Sequence, residues 1–388
     1  MAVVITRPTQ LSILDENMER CLEIDRETER LTVLEETRLL ESKLEKLANL
    51  KMRNSDTIVL SGHGCYIKVR NDGLSVEYSV SGSQENVKVL TMHRGVHRIK
   101  QIIIVAKSGY ISLDAIEWTA NQGITVIMLN FKGELLSVLT PKQPRNVKLM
   151  YLQWQASKSE LVLTISKELI KMKTHAQIET LKAISHKQYH ANYRFNIPTW
   201  KVIENELTDL DPLQSIESVR MFEARLSMMY WGTFKDIPIA FDGRSAKKVP
   251  THWLQVTERQ SQLSNNARQA TNPFHATLNF AYALLEAQVL QALTIAGLEP
   301  SIGYLHTYQE NKPALAWDMM EAFRAVIDHK VFDLFQKQTF SEGDFYQELT
   351  GEVRLSEELR RYIVASCRVS PIDIDRQVRW LRSLLEKS

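Results

Sequence analysis

His306, Asp318 and Glu321 are the residues of this sequence whose types and spacing best suit the holding of a hard metal ion. Asp318 and Glu321 lie three apart in a predicted helix, so both carboxylates can point to one place, and His306 comes from the loop just before. Carboxylates with one imidazole suit Mn²⁺ or Mg²⁺. Such an ion can polarise a carbonyl or phosphoryl oxygen and activate a hydroxyl or a water. On residue type alone a second reading stands beside this one, a histidine satisfied by neighbouring acids.

A different chemistry is suggested by residues 241–270, FDGRSAKKVPTHWLQVTERQSQLSNNARQA. Arg244, Lys247, Lys248, His252, Arg259 and Arg268 surround Trp253 there. Basic side chains attract phosphates, and an aromatic ring among them can stack on a base. The alternative is a solvated loop anchored by one tryptophan.

Several elements must position these groups. Ala281, Leu284, Leu285, Val289 and Leu293 give one apolar face to a helix over 277–296, which Gly297 stops and Pro300 forbids to continue. Helices are also predicted over 147–172, 176–189 and 215–233, and Ser370-Pro371 open a closing basic helix. Earlier in the chain the period is that of strands. TIVLSGHGCYIKVRNDGLSVEYSV alternates around Asn71-Asp72-Gly73, a hairpin signal, and strands follow at 87–92, 102–106, 125–129 and 135–139, with a short helix near 112–121. Before them, residues 11–53 read as one or two charged helices, with Leu40, Leu44 and Leu47 at coiled-coil spacing.

The fold class is therefore α+β and multidomain: a charged helical extension (1–55), a small, mostly β domain (56–141) and a larger all-α catalytic domain (145–388), joined at Pro141-Lys-Gln-Pro144. No glycine fingerprint joins a strand to a helix, which excludes a nucleotide-binding fold. With 44% hydrophobic and 24% charged residues, and no unbroken apolar run of eighteen, the composition points to a cytoplasmic protein outside the membrane. Cys21, Cys65 and Cys367 are odd in number and far apart, as reduced thiols are. A net charge of +2 does not by itself imply nucleic acid.

The order of the wording adds to this. LNFAYALLEAQVLQAL, AGLEPSIGYLH and LAWDMMEAFR resemble consecutive motifs of the CRISPR-associated adaptation integrases of prokaryotes, and KSGYISLDAIEWTANQGITVIMLNFKGELL resembles their N-terminal domain. FEARLSMMYWGTF is similar to their motif of a catalytic Glu, an Arg and a Tyr-aromatic pair, placing Glu223, Arg225, Tyr230 and Trp231 in those roles, with Ala224 where the family has Gly. Glu217 is the competing acid, without that context. The resemblance covers about 57–384 and implies a metal held by Glu223, His306 and Glu321, with Asp318 as a further ligand or as a group that orients them. It implies attack by the 3′-hydroxyl of a short donor DNA on a target duplex, with Arg225, Arg244, Lys247, Lys248, Trp253, Arg259 and Arg268 on the DNA. It further implies a homodimer, with two dimers bridged by a second adaptation subunit. Two other readings stay open, a casposase-type transposon integrase and a non-catalytic DNA-binding scaffold.

Overall fold

The computed structural model describes residues 56–387 except 80–86, 96, 107, 131–132, 142–145, 186–198, 259–268, 307–309 and 311. The predicted helical extension, with Leu40, Leu44 and Leu47, lies outside the described residues, as do Arg259 and Arg268.

β1 (Thr57–Arg70) turns back antiparallel into β2 (Gly73–Ser79). Arg70 pairs with Gly73, so the turn is Asn71-Asp72 alone, both at positive φ (48° and 59°) as the tightest hairpins require. β3 (Val87–His93) extends the hairpin. β4 (Gln101–Ala106) runs through β5 (Gly109–Ile111) and helix α1 (Leu113–Asn121) to β6 (Thr125–Leu129), which pairs parallel with β4, and β7 (Leu135–Leu139) closes the sheet. The order is β3-β2-β1-β4-β6-β7, with β5 beside β1.

β4 and β6 are nearly continuous apolar runs because both faces of the sheet are covered there. Ile102 and Val126 pack with Trp118 and Ala115 of α1, whereas Ile103, Val105, Ile127 and Leu129 join the core of the helices that follow. A polar seam crosses the same boundary. Gln101 donates to Gln291 (2.7 Å), Gln291 to Thr125 (2.8 Å) and Arg368 to Gln101 (2.7 Å).

The helices are α2 (Val147–Ala156), α3 (Leu161–Ser185), α4 (Thr199–Glu206), α5 (Ile216–Gly232), α6 (Pro273–Ala296), α7 (Ala314–Lys337), α8 (Glu357–Ser366) and α9 (Pro371–Lys387). A two-stranded ribbon, β8 (Phe345–Gln347) with β9 (Val353–Leu355), lies between α7 and α8. The helix expected over 147–172 is instead broken at 157–160, where Ser157 and Ser159 hydroxyls take the carbonyls of Trp154 and Ala156. The break expected near 173–175 is absent, since Lys173 and Thr174 are buried on a continuous α3 packed along α7. α6 begins four residues before its expected start because Asn272 caps it, accepting from Phe274 N (3.0 Å), and Pro273 opens the first turn. α6 is long and apolar enough to cross a membrane, but its faces are covered by α7, β7 and α9. Its polar interruptions are satisfied: Glu286 accepts from Trp317 and Gln288 donates to the carbonyl of Val369.

Candidate active site

Gly297 ends α6 in the left-handed conformation (φ 76°), and the chain then loops back over α7. Gln153 of α2 grips that loop, accepting from Glu299 N (2.9 Å) and donating to the carbonyls of Glu299 (2.8 Å) and Ile302 (3.0 Å). At Gly303 any Cβ would stand 2.8 Å from the Ala314 side chain and 3.0 Å from Asp318 Oδ2. Glycine thus lets the loop settle on the carboxylate.

Asp318, 0% exposed, is saturated by that loop. Its Oδ2 accepts from the N–H groups of Tyr304 (2.5 Å) and Leu305 (3.0 Å), and Oδ1 from His306 N (2.9 Å) and the His306 ring at Nδ1 (2.6 Å). Arg220 of α5 pins the other side, donating to the Leu305 carbonyl at 2.6 Å. With Nδ1 committed, Nε2 is the nitrogen of His306 left to a ligand. Burial disfavours the imidazolium, but the bond to Asp318 and its charge outweigh this and raise the His306 pKa.

The other end of the site is built from charges. Lys173 of α3 lies between Glu223 of α5 and Glu321 of α7, its Nζ against Glu223 Oε1 and 2.7 Å from Glu321 Oε2. Ser227, one turn on from Glu223, donates to the same Oε1 at 2.7 Å. Arg324 stands 2.8 Å from Glu321 Oε1, and its guanidinium lies over the Tyr282 ring at 4.8 Å. Beyond it the buried Asp328 accepts from the hydroxyls of Tyr282 and Tyr230, the latter at 2.9 Å. Burial pushes the Glu321 carboxyl up, yet Arg324 and Lys173 prevail and hold it down at about 2. For Lys173 burial likewise opposes the charge, and Glu321 with Glu223 overcomes it and raises the pKa.

The structure therefore joins His306 to Asp318 and draws Glu223 and Glu321 onto one cationic point. Glu217 is exposed in the first turn of α5, where the helix dipole favours an acid, and is not part of this pair. Among the described residues no three His, Cys, Asp or Glu side chains stand close enough to hold an ion together. The donor types nevertheless fit a divalent cation, since two carboxylate oxygens already converge on a positive charge, and His306, which feels the charge of Glu321, has one ring nitrogen to offer. Sequence reasoning missed Lys173, Arg220 and Gln153, which no local pattern connects to the acids. Arg324 was missed as well, although its i+3 spacing to Glu321 was a signal that could have found it.

The basic segment is divided. Arg244, Lys247 and Lys248 are exposed, with Lys248 paired to Glu342. Arg225 is exposed on α5 and 3.0 Å from Glu206. Trp253 is 3% exposed and packs edge-on against Phe345, so it anchors the segment and presents no face to a base. That corrects its expected place on the DNA, because an aromatic ring near a phenylalanine cluster gains more from burial than from solvent exposure.

Known proteins are similar to this chain in sequence and in fold. At 27% identity, a CRISPR-associated endonuclease Cas1 of Thermodesulfovibrio yellowstonii aligns with 76% of this chain and 85% of its own length. A solved structure of a casposase bound to integration product superposes with a TM-score of 0.71 and 26% identity, covering 86% of this chain and 91% of that one. The Cas6-RT-Cas1–Cas2 complex contains a chain of the same fold, with a TM-score of 0.63 and 19% identity over 85% of this chain and 35% of that one. The family model for the CRISPR associated protein Cas1 matches residues 58–368, taking in the sheet, both ends of the site and the helices between them, and the chain belongs to that family.

Proposed function

We propose that this protein is a divalent-cation-dependent DNA integrase of CRISPR adaptation, joining the 3′-hydroxyl of a short donor to a target strand by transesterification. The observation that carries this reading is the convergence of Glu223 and Glu321, from two helices, on one cationic point, with His306 within electrostatic range of Glu321. Glu223, Glu321 and His306 Nε2 would hold Mg²⁺ or Mn²⁺. Such an ion polarises the scissile phosphate and favours the nucleophilic form of the hydroxyl. Asp318 keeps His306 in one orientation and one tautomer, with the ring proton at Nδ1 and the lone pair at Nε2. Arg324 holds Glu321 against α7. The exposed Arg244, Lys247 and Lys248, with Arg225, take the DNA phosphates by charge. The family likeness extends the reading to a homodimer and to a second adaptation subunit bridging two dimers.

The test is strand joining. A labelled duplex donor with free 3′ ends, mixed with supercoiled plasmid and Mn²⁺, is expected to become covalently attached as the plasmid relaxes. A donor ending in a dideoxynucleotide should bind equally and fail to join. Nicking that is the same with either donor and transfers no label would show hydrolysis instead. The structural match to a casposase supports a second reading, insertion of a transposon. Joining that depends on the terminal sequence of the donor would favour it, and indifference to donor ends with preference for a repeat-bearing target would favour adaptation.

A further inference from the structure

Lys173 is placed where the two acids meet, and its place on α3 makes it independent of the motifs that carry them. Its Nζ touches Glu223 Oε1 and lies 2.7 Å from Glu321 Oε2, and the residue is buried, so little water shares the contact. A divalent cation bound by the same two oxygens needs contacts of about 2.0–2.2 Å to each, which puts it where the ammonium stands. Two cations cannot occupy that point, since at such separation in a partly buried site their repulsion is not screened.

We propose that Lys173 is the resident counter-charge of this site and that divalent cation binding is an exchange, in which the ion takes Glu223 Oε1 and Glu321 Oε2 and the ammonium is expelled towards solvent. Lys173 thereby holds the two carboxylates together at the ion's place and sets the ion's affinity. Arg324 stays on Glu321 Oε1, the oxygen not shared with Lys173, so the exchange leaves that carboxylate oriented. The flexible four-carbon stem of lysine suits it to leave, as the planar fork of an arginine would not. The inference rests on the metal reading above and adds a residue to it.

Two measurements on the full chain test it. Bound Mn²⁺ is counted by electron paramagnetic resonance in wild type and in Lys173→Gln, which removes the charge and keeps a polar head. Exchange predicts Mn²⁺ binding at least tenfold tighter in the variant. The second measurement needs no variant. Acetylation of lysines, located by mass spectrometry, should rise several-fold at Lys173 when Mg²⁺ is added and stay constant when K⁺ is added to the same ionic strength. A purely structural ion pair would leave Lys173 labelling unchanged by Mg²⁺, and that result overturns the exchange, as does equal or weaker Mn²⁺ binding by a folded Lys173→Gln. Wild type that binds no Mn²⁺ at millimolar concentration would remove the metal reading itself, an outcome distinct from binding without exchange.

Discussion

Asp318 and Glu321 stand one turn apart on the same face of α7, yet the two ends of the site they build are held in opposite ways. Asp318 is gripped by three backbone N–H groups and a histidine ring. Glu321 is gripped by the charges of two long side chains, Lys173 and Arg324. Backbone donors belong to the loop and cannot leave the carboxylate without unfolding it, whereas an ammonium on a flexible stem can be exchanged for another cation. One acid fixes the loop through backbone amides, and the other is balanced by side-chain charges.

The sharpest way to break this contrast is Asp318→Ala. It strands the buried N–H groups of Tyr304 and Leu305, each costing about 1–3 kcal/mol, and the half-buried one of His306, and partial relaxation of the loop should leave a net loss of about 3 kcal/mol. Urea unfolding checks this, and a loss below about 1 kcal/mol would mean that the loop does not depend on the carboxylate. Glu223→Gln probes the charged end. Its stability should change by less than about 1 kcal/mol, since the group is partly exposed and keeps a polar head, while strand joining falls at least about a hundredfold, equivalent to about 2.7 kcal/mol. Loss of the folded state would move Glu223 to the structural end of the comparison. The smallest effect is expected for Arg220→Met, which removes one hydrogen bond to the Leu305 carbonyl and should cost about 1 kcal/mol. Hydrogen exchange at the Tyr304, Leu305 and His306 amides should quicken, with Mn²⁺ affinity changed less than at Glu223→Gln. Unaltered exchange would show that Arg220 does not help to fix the loop.

Legibility in the sequence follows the range of the interactions. Asn71-Asp72-Gly73, Ser112 as the cap of α1, Gly297 and Pro371 act within a few residues, and the strands and helices they bound stand close to where the pattern puts them. The serines at 157 and 159 broke a helix that periodicity alone would continue, because their hydroxyls compete for carbonyls at a range that hydrophobic period does not register. Within the site, the i+3 spacing of Asp318 and Glu321 and the loop position of His306 were legible, as was Glu223 through its motif. Their division of labour was not.

What the sequence by itself determined is the succession of a β layer and a helical layer, the acids on α7 and the histidine before it, because these depend on period, caps and turns along the chain. What only the tertiary structure decided is which groups meet: Lys173 with Glu223 and Glu321, Asp318 with the amides of its own preceding loop, and Trp253 with Phe345. Lys173 is 50 residues from Glu223, a separation stated by no period or spacing rule. Packing of α3 against α5 and α7 brings the three charges within reach, and a charge taken away from water, as on Lys173 and Glu321, must find its opposite or destabilise the fold.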